Sequence, residues 1–265
     1  MSEGSVHRAA RRLTAAGGEP LDEIVAEEVA VALVYNGVSH AVMMATPCDL
    51  EDFARGFSLT ERIVEKPSEI FDVEVESVER GIEVRVRIAA QRMAGLQERR
   101  RSLAGRTGCG LCGVDSLDAA MRPVARLPAT ETVSRQAIGR AMAALPAEQR
   151  INRLNGATHA AGWARPDGTL VVVREDVGRH NALDKLGGAL ARSGLAAPGG
   201  FVVVTSRCSY EMVHKAAALG AVAIAAVSAP TSLAIETAEQ AGIALVAFVR
   251  EGRLTVYANS GRISA

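Results

Sequence analysis

The chain has no excess of charge of either sign, few cysteines and no apolar run long enough to cross a membrane, and each shortage closes off a class of function. Thirty Lys and Arg balance thirty Asp and Glu, so no bulk attraction to nucleic acid or to an acidic membrane surface is expected, and only local patches matter. Four cysteines, with Cys48 and Cys208 isolated, do not make the dense paired framework of a small secreted protein, which points to a reducing compartment. The longest weakly polar stretch, Gly220 to Ala229, is far short of the roughly 20 residues of a membrane span. Arg8, Arg11 and Arg12 are followed by Leu-Thr-Ala-Ala-Gly-Gly-Glu-Pro rather than an apolar core, so neither a secretory nor a twin-arginine signal is read, and the cytoplasm is the expected location. No internal repeat is found.

At 265 residues, 48% of them hydrophobic, the chain is long enough to bury cores in two modest domains. Residues 1–22, rich in Ala, Gly, Ser and Arg without periodicity, read as a flexible tail. Residues 23–104 read as a small α+β domain. It has a hairpin turning at Asn36-Gly37, a helix opened by Asp49 or Asp52 that runs through Phe53 and Phe57 and stops before Pro67, an alternating strand pair around Glu79-Arg80-Gly81, and a second helix from Gln91. Residues 105–130 form a thiol loop and linker. From residue 131 to 265, alanine-rich helices alternate with short apolar strands, the pattern of an α/β domain whose sheet is partly parallel and covered on both faces.

Arg106-Thr107-Gly108-Cys109-Gly110-Leu111-Cys112-Gly113 sets two cysteines among three glycines, which let the backbone approach a partner closely. Arg99, Arg100, Arg101 and Arg106 lie just upstream, where they favour a thiolate or simply complement a helix C-terminus. Structural zinc wants a second cysteine pair, and none exists; Cys208, His159, His180 or His214 would complete a site only by tertiary accident. A redox pair of the thioredoxin kind expects a strand before it and a helix after it, and here a helix and a glycine come first. The reading left with most weight is a nucleophilic carrier of a group such as sulfur.

Glu175-Asp176-Val177-Gly178-Arg179-His180-Asn181-Ala182-Leu183-Asp184-Lys185 lies between a strand and a helix, where open α/β sheets bind ligands. Arg179, His180 and Lys185 can meet phosphates there, unless the segment is only a capped helix start. Thr205-Ser206-Arg207-Cys208-Ser209-Tyr210-Glu211 repeats that placement one strand later, with Ser209 a candidate cap and Cys208 most simply a packing residue. Arg250-Glu251-Gly252-Arg253 puts two guanidinium groups on one tight turn, suited to bidentate phosphate contacts.

Four blocks, the thiol motif at 106–113, His-Ala-Val-Met-Met-Ala-Thr-Pro at 40–47, the segment at 175–185 and Thr-Ser-Arg-Cys-Ser-Tyr-Glu-Met-Val at 205–213, together resemble the formate dehydrogenase accessory sulfurtransferases, the FdhD/NarQ family. The resemblance runs from about residue 25 to the C-terminus. It implies a sulfurtransferase that takes persulfide sulfur from a cysteine desulfurase and passes it to the molybdenum bis(molybdopterin guanine dinucleotide) cofactor of formate dehydrogenase, with no permanently bound cofactor or metal of its own. It further implies Cys109 as the persulfide carrier and Cys112 as its assistant. Phe248, Val249, Arg250, Glu251, Gly252 and Arg253 become the cofactor-binding segment, to which Arg179 and His180 are added from their own position at a strand end and helix start. A homodimer is expected, as is a cytidine-deaminase-like three-layer fold for the larger domain. The zinc ligands of deaminases are missing, since Gly-Arg-His-Asn and Ser-Arg-Cys-Ser stand at those helix starts. The rival reading is a non-catalytic cofactor chaperone with structural cysteines.

Overall fold

Residues 5–26 carry no apolar alternation, yet they form two strands, β1 (Ser5–Thr14) and β2 (Gly17–Ala26), in antiparallel register. The computed structural model describes the chain apart from residues 1–3, 16, 102–123, 125, 129–130, 197 and 251. The expected tail over 1–22 is thereby corrected, and the reason is charge: β1 is basic and β2 acidic, so the register sets Arg12 across from Glu19 and Arg8 across from Glu23. His7 Nδ1 lies 2.7 Å from Asp22 Oδ2, and Arg12 donates to Glu23 at 3.2 Å. Exposed pairs of this kind stabilise by about 1 kcal/mol at most. The root of the ribbon is tied down by Glu27 N–H donating to the Gly4 carbonyl and by Asn155 Nδ2 donating to Ser5 Oγ.

The small domain follows its expected order: β3 (Val29–Tyr35), β4 (Val38–Ala45), α1 (Leu50–Thr60), β5 (Ile70–Val78), β6 (Gly81–Ile88) and α2 (Ala90–Arg101). Asn36 and Gly37 turn β3 into β4 with positive φ at both positions, 45° and 83°, as a two-residue hairpin requires. The strands lie in the order β4-β3-β6-β5, with β3 and β6 parallel. Period-two patterning gathers Val31, Leu33, Tyr35, Val84 and Val86 into one core with Leu50, Phe53 and Phe57 of α1. Each such buried side chain contributes about 1.5–3 kcal/mol. Asp49 occupies the N-cap position of α1, but its carboxylate makes no cap and instead lies 3.5 Å from the Arg174 guanidinium.

The remaining elements are β7 (Val133–Ser134), α3 (Arg135–Glu148), α4 (Asn152–Asn155), β8 (His159–Ala164), β9 (Leu170–Asp176), α5 (Arg179–Ser193), β10 (Phe201–Val204), α6 (Tyr210–Ala218), β11 (Ala223–Ala226), α7 (Ser232–Ala241), β12 (Ala244–Arg250), β13 (Arg253–Ala258) and β14 (Ile263–Ser264). Six of them make a mixed sheet in the order β13-β12-β11-β10-β8-β9. Its short strands, almost wholly buried except at the two edges β9 and β13, are covered on one face by α5, α6 and α7 and on the other by α3, so that helices sandwich the sheet. No helix among the described residues is long and apolar enough to cross a membrane.

The two sheets are joined by α1 lying against α5. A Cβ on Gly56 would overlap the Asp184 carbonyl oxygen, and one on Gly188 would overlap that of Asp52, so the helix backbones meet where only glycine fits. Charged groups seal the seam. Arg174 donates through two guanidinium nitrogens to Asp52 Oδ2 (2.9 and 2.7 Å), and Lys215 Nζ donates to Asp184 (2.8 and 3.0 Å), Glu61 (2.8 Å) and Thr60 (3.1 Å).

Candidate functional site at the strand carboxyl edge

Strands β9, β10, β11 and β12 all point the same way, because β10, β11 and β12 pair in parallel while β8 runs antiparallel to both β9 and β10. Their carboxyl ends therefore share one edge of the sheet, where α5, α6 and α7 begin. This is where doubly covered α/β sheets gather ligands. The first residues of β8 and β13 lie at the same edge.

At the β9 end, Asp176 organises the turn. Its Oδ1 accepts from Gly178 N–H (2.8 Å) and Asn181 Nδ2 (3.0 Å), while Oδ2 accepts from Thr46 N–H (3.0 Å) and lies 2.7 Å from Lys185 Nζ. Lys185 also donates to the Thr46 carbonyl at 2.9 Å, and Asn181 donates to the Met44 carbonyl at 2.8 Å. Lys185 is fully buried in this network, so it meets no phosphate; the expectation for that residue is corrected, and its role is to bind the loop after β4 to α5. Arg179 and His180, the first residues of α5, are partly exposed at the edge. Arg179 Nε is shut off from water without a hydrogen-bond partner.

At the β10 end, Arg207 is exposed and Cys208 is fully buried, its thiol pushed up to about 12 by that burial, so Cys208 is a packing residue. Ser209 sits at the α6 N-cap without capping it; its hydroxyl donates to Glu211. Glu211 Oε2 lies 2.8 Å from His180 Nε2, which connects the two helix starts. Burial raises the Glu211 carboxyl, but His180 and Arg179 outweigh it and hold the group below the usual carboxylate range. His159 opens β8 between them, opposite Asp176 in register. Its pKa is lowered, first by burial and then by the charges of Arg179, His180 and Arg207.

At the β12 end, Phe248 has φ 52°, in the left-handed region where a bulky residue is rare, and a bulge separates Ala247 from Arg250. Phe248 is half-exposed, Val249 is buried, and Arg250, Gly252 and Arg253 are exposed, with Arg250 opposite Arg253 across the turn. Glu251 lies outside the described residues, as do Cys109 and Cys112 with the whole segment 106–113. The structure thus brings Arg179 and His180 together with His159, Arg207 and Glu211. It sets Arg250 and Arg253 on the same edge, two strand spacings from Arg207 and four from Arg179, about 10 and 19 Å at ~4.8 Å per strand. Sequence reading placed the block that holds Arg207 and Glu211 at this edge without naming either as a ligand, and it did not place His159 there. A usable signal existed for Arg207, which follows its strand as closely as Arg179 follows β9.

Comparison with known proteins gives this edge its context. A profile of the FdhD/NarQ family matches residues 26–264. The chain is 57% identical over 239 residues to the sulfur carrier protein FdhD of Cupriavidus necator, covering 90% of this chain and 83% of that one. It is also similar to the crystal structure of a protein from Desulfotalea psychrophila described as a formate dehydrogenase accessory protein, with a TM-score of 0.74 and 26% identity over 98% of this chain and 99% of that one. Matched in profile, in sequence and in fold along nearly its whole length, the chain belongs to the FdhD/NarQ family.

Proposed function

We propose that the chain is a sulfur carrier in formate dehydrogenase maturation, a sulfurtransferase that works in the cytoplasm as a homodimer. The observation that carries this reading is its identity over most of both chains to a protein described as a sulfur carrier. The thiolate of Cys109 attacks the outer sulfur of a cysteine desulfurase persulfide, which leaves Cys109 as the persulfide and releases the desulfurase thiolate. Cys112 then attacks the inner sulfur of Cys109. A Cys109–Cys112 disulfide forms, and the outer sulfur departs as sulfide toward the molybdenum bis(molybdopterin guanine dinucleotide) substrate, after which a cellular dithiol resets the pair. The three-layer scaffold, read as cytidine-deaminase-like, presents this acceptor at its strand carboxyl edge through Arg179, His180 and the 248–253 segment.

The test is the intact mass of the protein after incubation with a cysteine desulfurase and cysteine, followed by peptide mapping. A gain of one sulfur on Cys109, removed by a reductant, is expected, and Cys109→Ala should abolish activation of formate dehydrogenase. No gain on either loop cysteine, with formate dehydrogenase still activated by Cys109→Ala, would overturn the reading in favour of a cofactor chaperone with structural cysteines.

A further inference from the structure

The four-stranded sheet turns one face to α1 and the other to water, and the wet face is patterned in two halves. Val31, Leu33, Tyr35, Val84 and Val86 point inward, so by period two the residues between them point outward. On β5 and β6 the outward positions are charged, as a wet face requires: Asp72, Glu74 and Glu76 lie across from Arg87, Arg85 and Glu83 in register. On β3 and β4 they are apolar instead. Ala30 pairs with Met44 and Ala32 with Val42 on the outward side, and Met44 and Val42 are 52% and 59% exposed. β4 is also an edge strand, yet none of its eight residues is a Lys, Arg, Asp, Glu or Pro, the types that usually guard such an edge. The stripe is fixed to the strand carboxyl edge of the larger sheet. Asn181 donates to the Met44 carbonyl (2.8 Å), and Thr46 donates its N–H to Asp176 (3.0 Å) and accepts from Lys185 through its carbonyl (2.9 Å). Whatever sits on the stripe therefore stands beside the turn that leads into Arg179 and His180.

We infer that the outward face of β3 and β4 is the docking surface for the formate dehydrogenase, which meets it with an apolar patch bordered by basic side chains; this step rests on the proposed role in maturing that enzyme. Ala30 and Ala32 form a low floor, and Val42 and Met44 stand beside it as anchors, methionine being a side chain that adapts its shape to a partner. Contiguous exposed apolar surface with a polar rim is the mark of a protein contact. The charge of the rim selects the occupant. Four carboxylates against two guanidinium groups leave the β5 and β6 half acidic, so two copies of this face would set acid against acid, whereas a basic border complements it. Position selects it as well: sulfur must pass to a cofactor bound for the dehydrogenase, and a protein seated on this stripe lies next to the edge proposed to present that cofactor.

The experiment measures binding of the full chain to immobilised apo-formate dehydrogenase by interferometry, with sulfur uptake from a cysteine desulfurase and elution mass followed on the same preparations. Val42→Glu and Met44→Glu should each weaken binding by about 10-fold or more, as loss of an interface anchor does, while sulfur uptake and elution mass stay as in the wild type. Glu74→Lys should weaken binding less, and its effect should shrink as salt rises. Leu13→Glu, an equally drastic change near the tip of the ribbon at a side chain 77% exposed, should change nothing. Val42 and Met44 are exposed, so an unshifted melting curve certifies their variants as folded. Wild-type affinity in both anchor variants, or no binding by the wild type itself, overturns the surface while leaving the carrier reading standing. A change in elution mass that accompanies the loss of binding overturns the assignment in favour of contact between two copies of the chain. Failure of the wild type to take up sulfur, with binding still lost in Val42→Glu and Met44→Glu, overturns the carrier reading and supports the surface.

Discussion

Lys185 shows how one side chain is diverted from the role its neighbours suggest. It follows Arg179 and His180 by less than two helical turns, yet its ammonium is buried against Asp176 and the Thr46 carbonyl, while theirs are the groups that reach the edge. A buried pair is costly to form and costlier to break on one side, because the survivor is left charged and desolvated. Lys185→Met should therefore destabilise the protein by about 3–5 kcal/mol in chemical denaturation. The double variant Lys185→Met with Asp176→Asn should recover a substantial part of that loss. If the two losses simply add, the pair is not the interaction that matters. Sequence alone could not separate Lys185 from its neighbours, since all three lie in one polar block and only the docking of the β4 loop decides which is covered. His159 is the opposite case, a residue without a motif whose place at the edge depends entirely on strand order.

Elements were more legible than residues. The Asn36-Gly37 turn, the alternation over 70–88 and the alternating strands and helices after residue 131 all resolve into the expected elements within a few residues, because apolar periodicity and turn chemistry are local properties. The β1–β2 ribbon escaped notice for the same reason: with both faces wet it has no apolar period, and its pairing is written in charges that meet only once the chain has turned. The meeting of α1 with α5 is also invisible locally. Gly56 and Gly188 sit inside helices, where glycine costs about 1 kcal/mol relative to alanine, so each would look replaceable. Their Cβ positions are instead filled by the carbonyls of Asp184 and Asp52. Gly188→Ala is expected to lower stability by about 1–3 kcal/mol or more despite its better helix propensity, as overpacking does. An increase in the melting temperature would show that the helices are free to move apart.

For the molecule as a whole, the charged groups at the seam and at the edge set opposite limits on the pH range of stability. Lys215 is held charged above its ordinary pKa: burial opposes this, but Asp184 and Glu61 outweigh it. Its pairing is therefore complete below the unfolded lysine value of about 10.4 and is lost only as pH rises through the higher folded value. His159 works on the acid side. Its folded pKa is lowered, so below about pH 6.5 the unfolded chain binds the proton first, and stability falls as pH drops through the folded value. The groups facing His159 are Asp176 on β9, Arg179 and His180 on α5, and Arg207 after β10; Asp176 works against the shift and the three cations reinforce it. Glu211, also lowered, adds a second loss near and below its unfolded value of about 4.3. Denaturation curves taken across pH should thus show a plateau from about pH 7 to 10 and a decline beginning below about pH 6.5. His159→Gln should flatten that first decline while leaving the steeper loss near pH 4 in place.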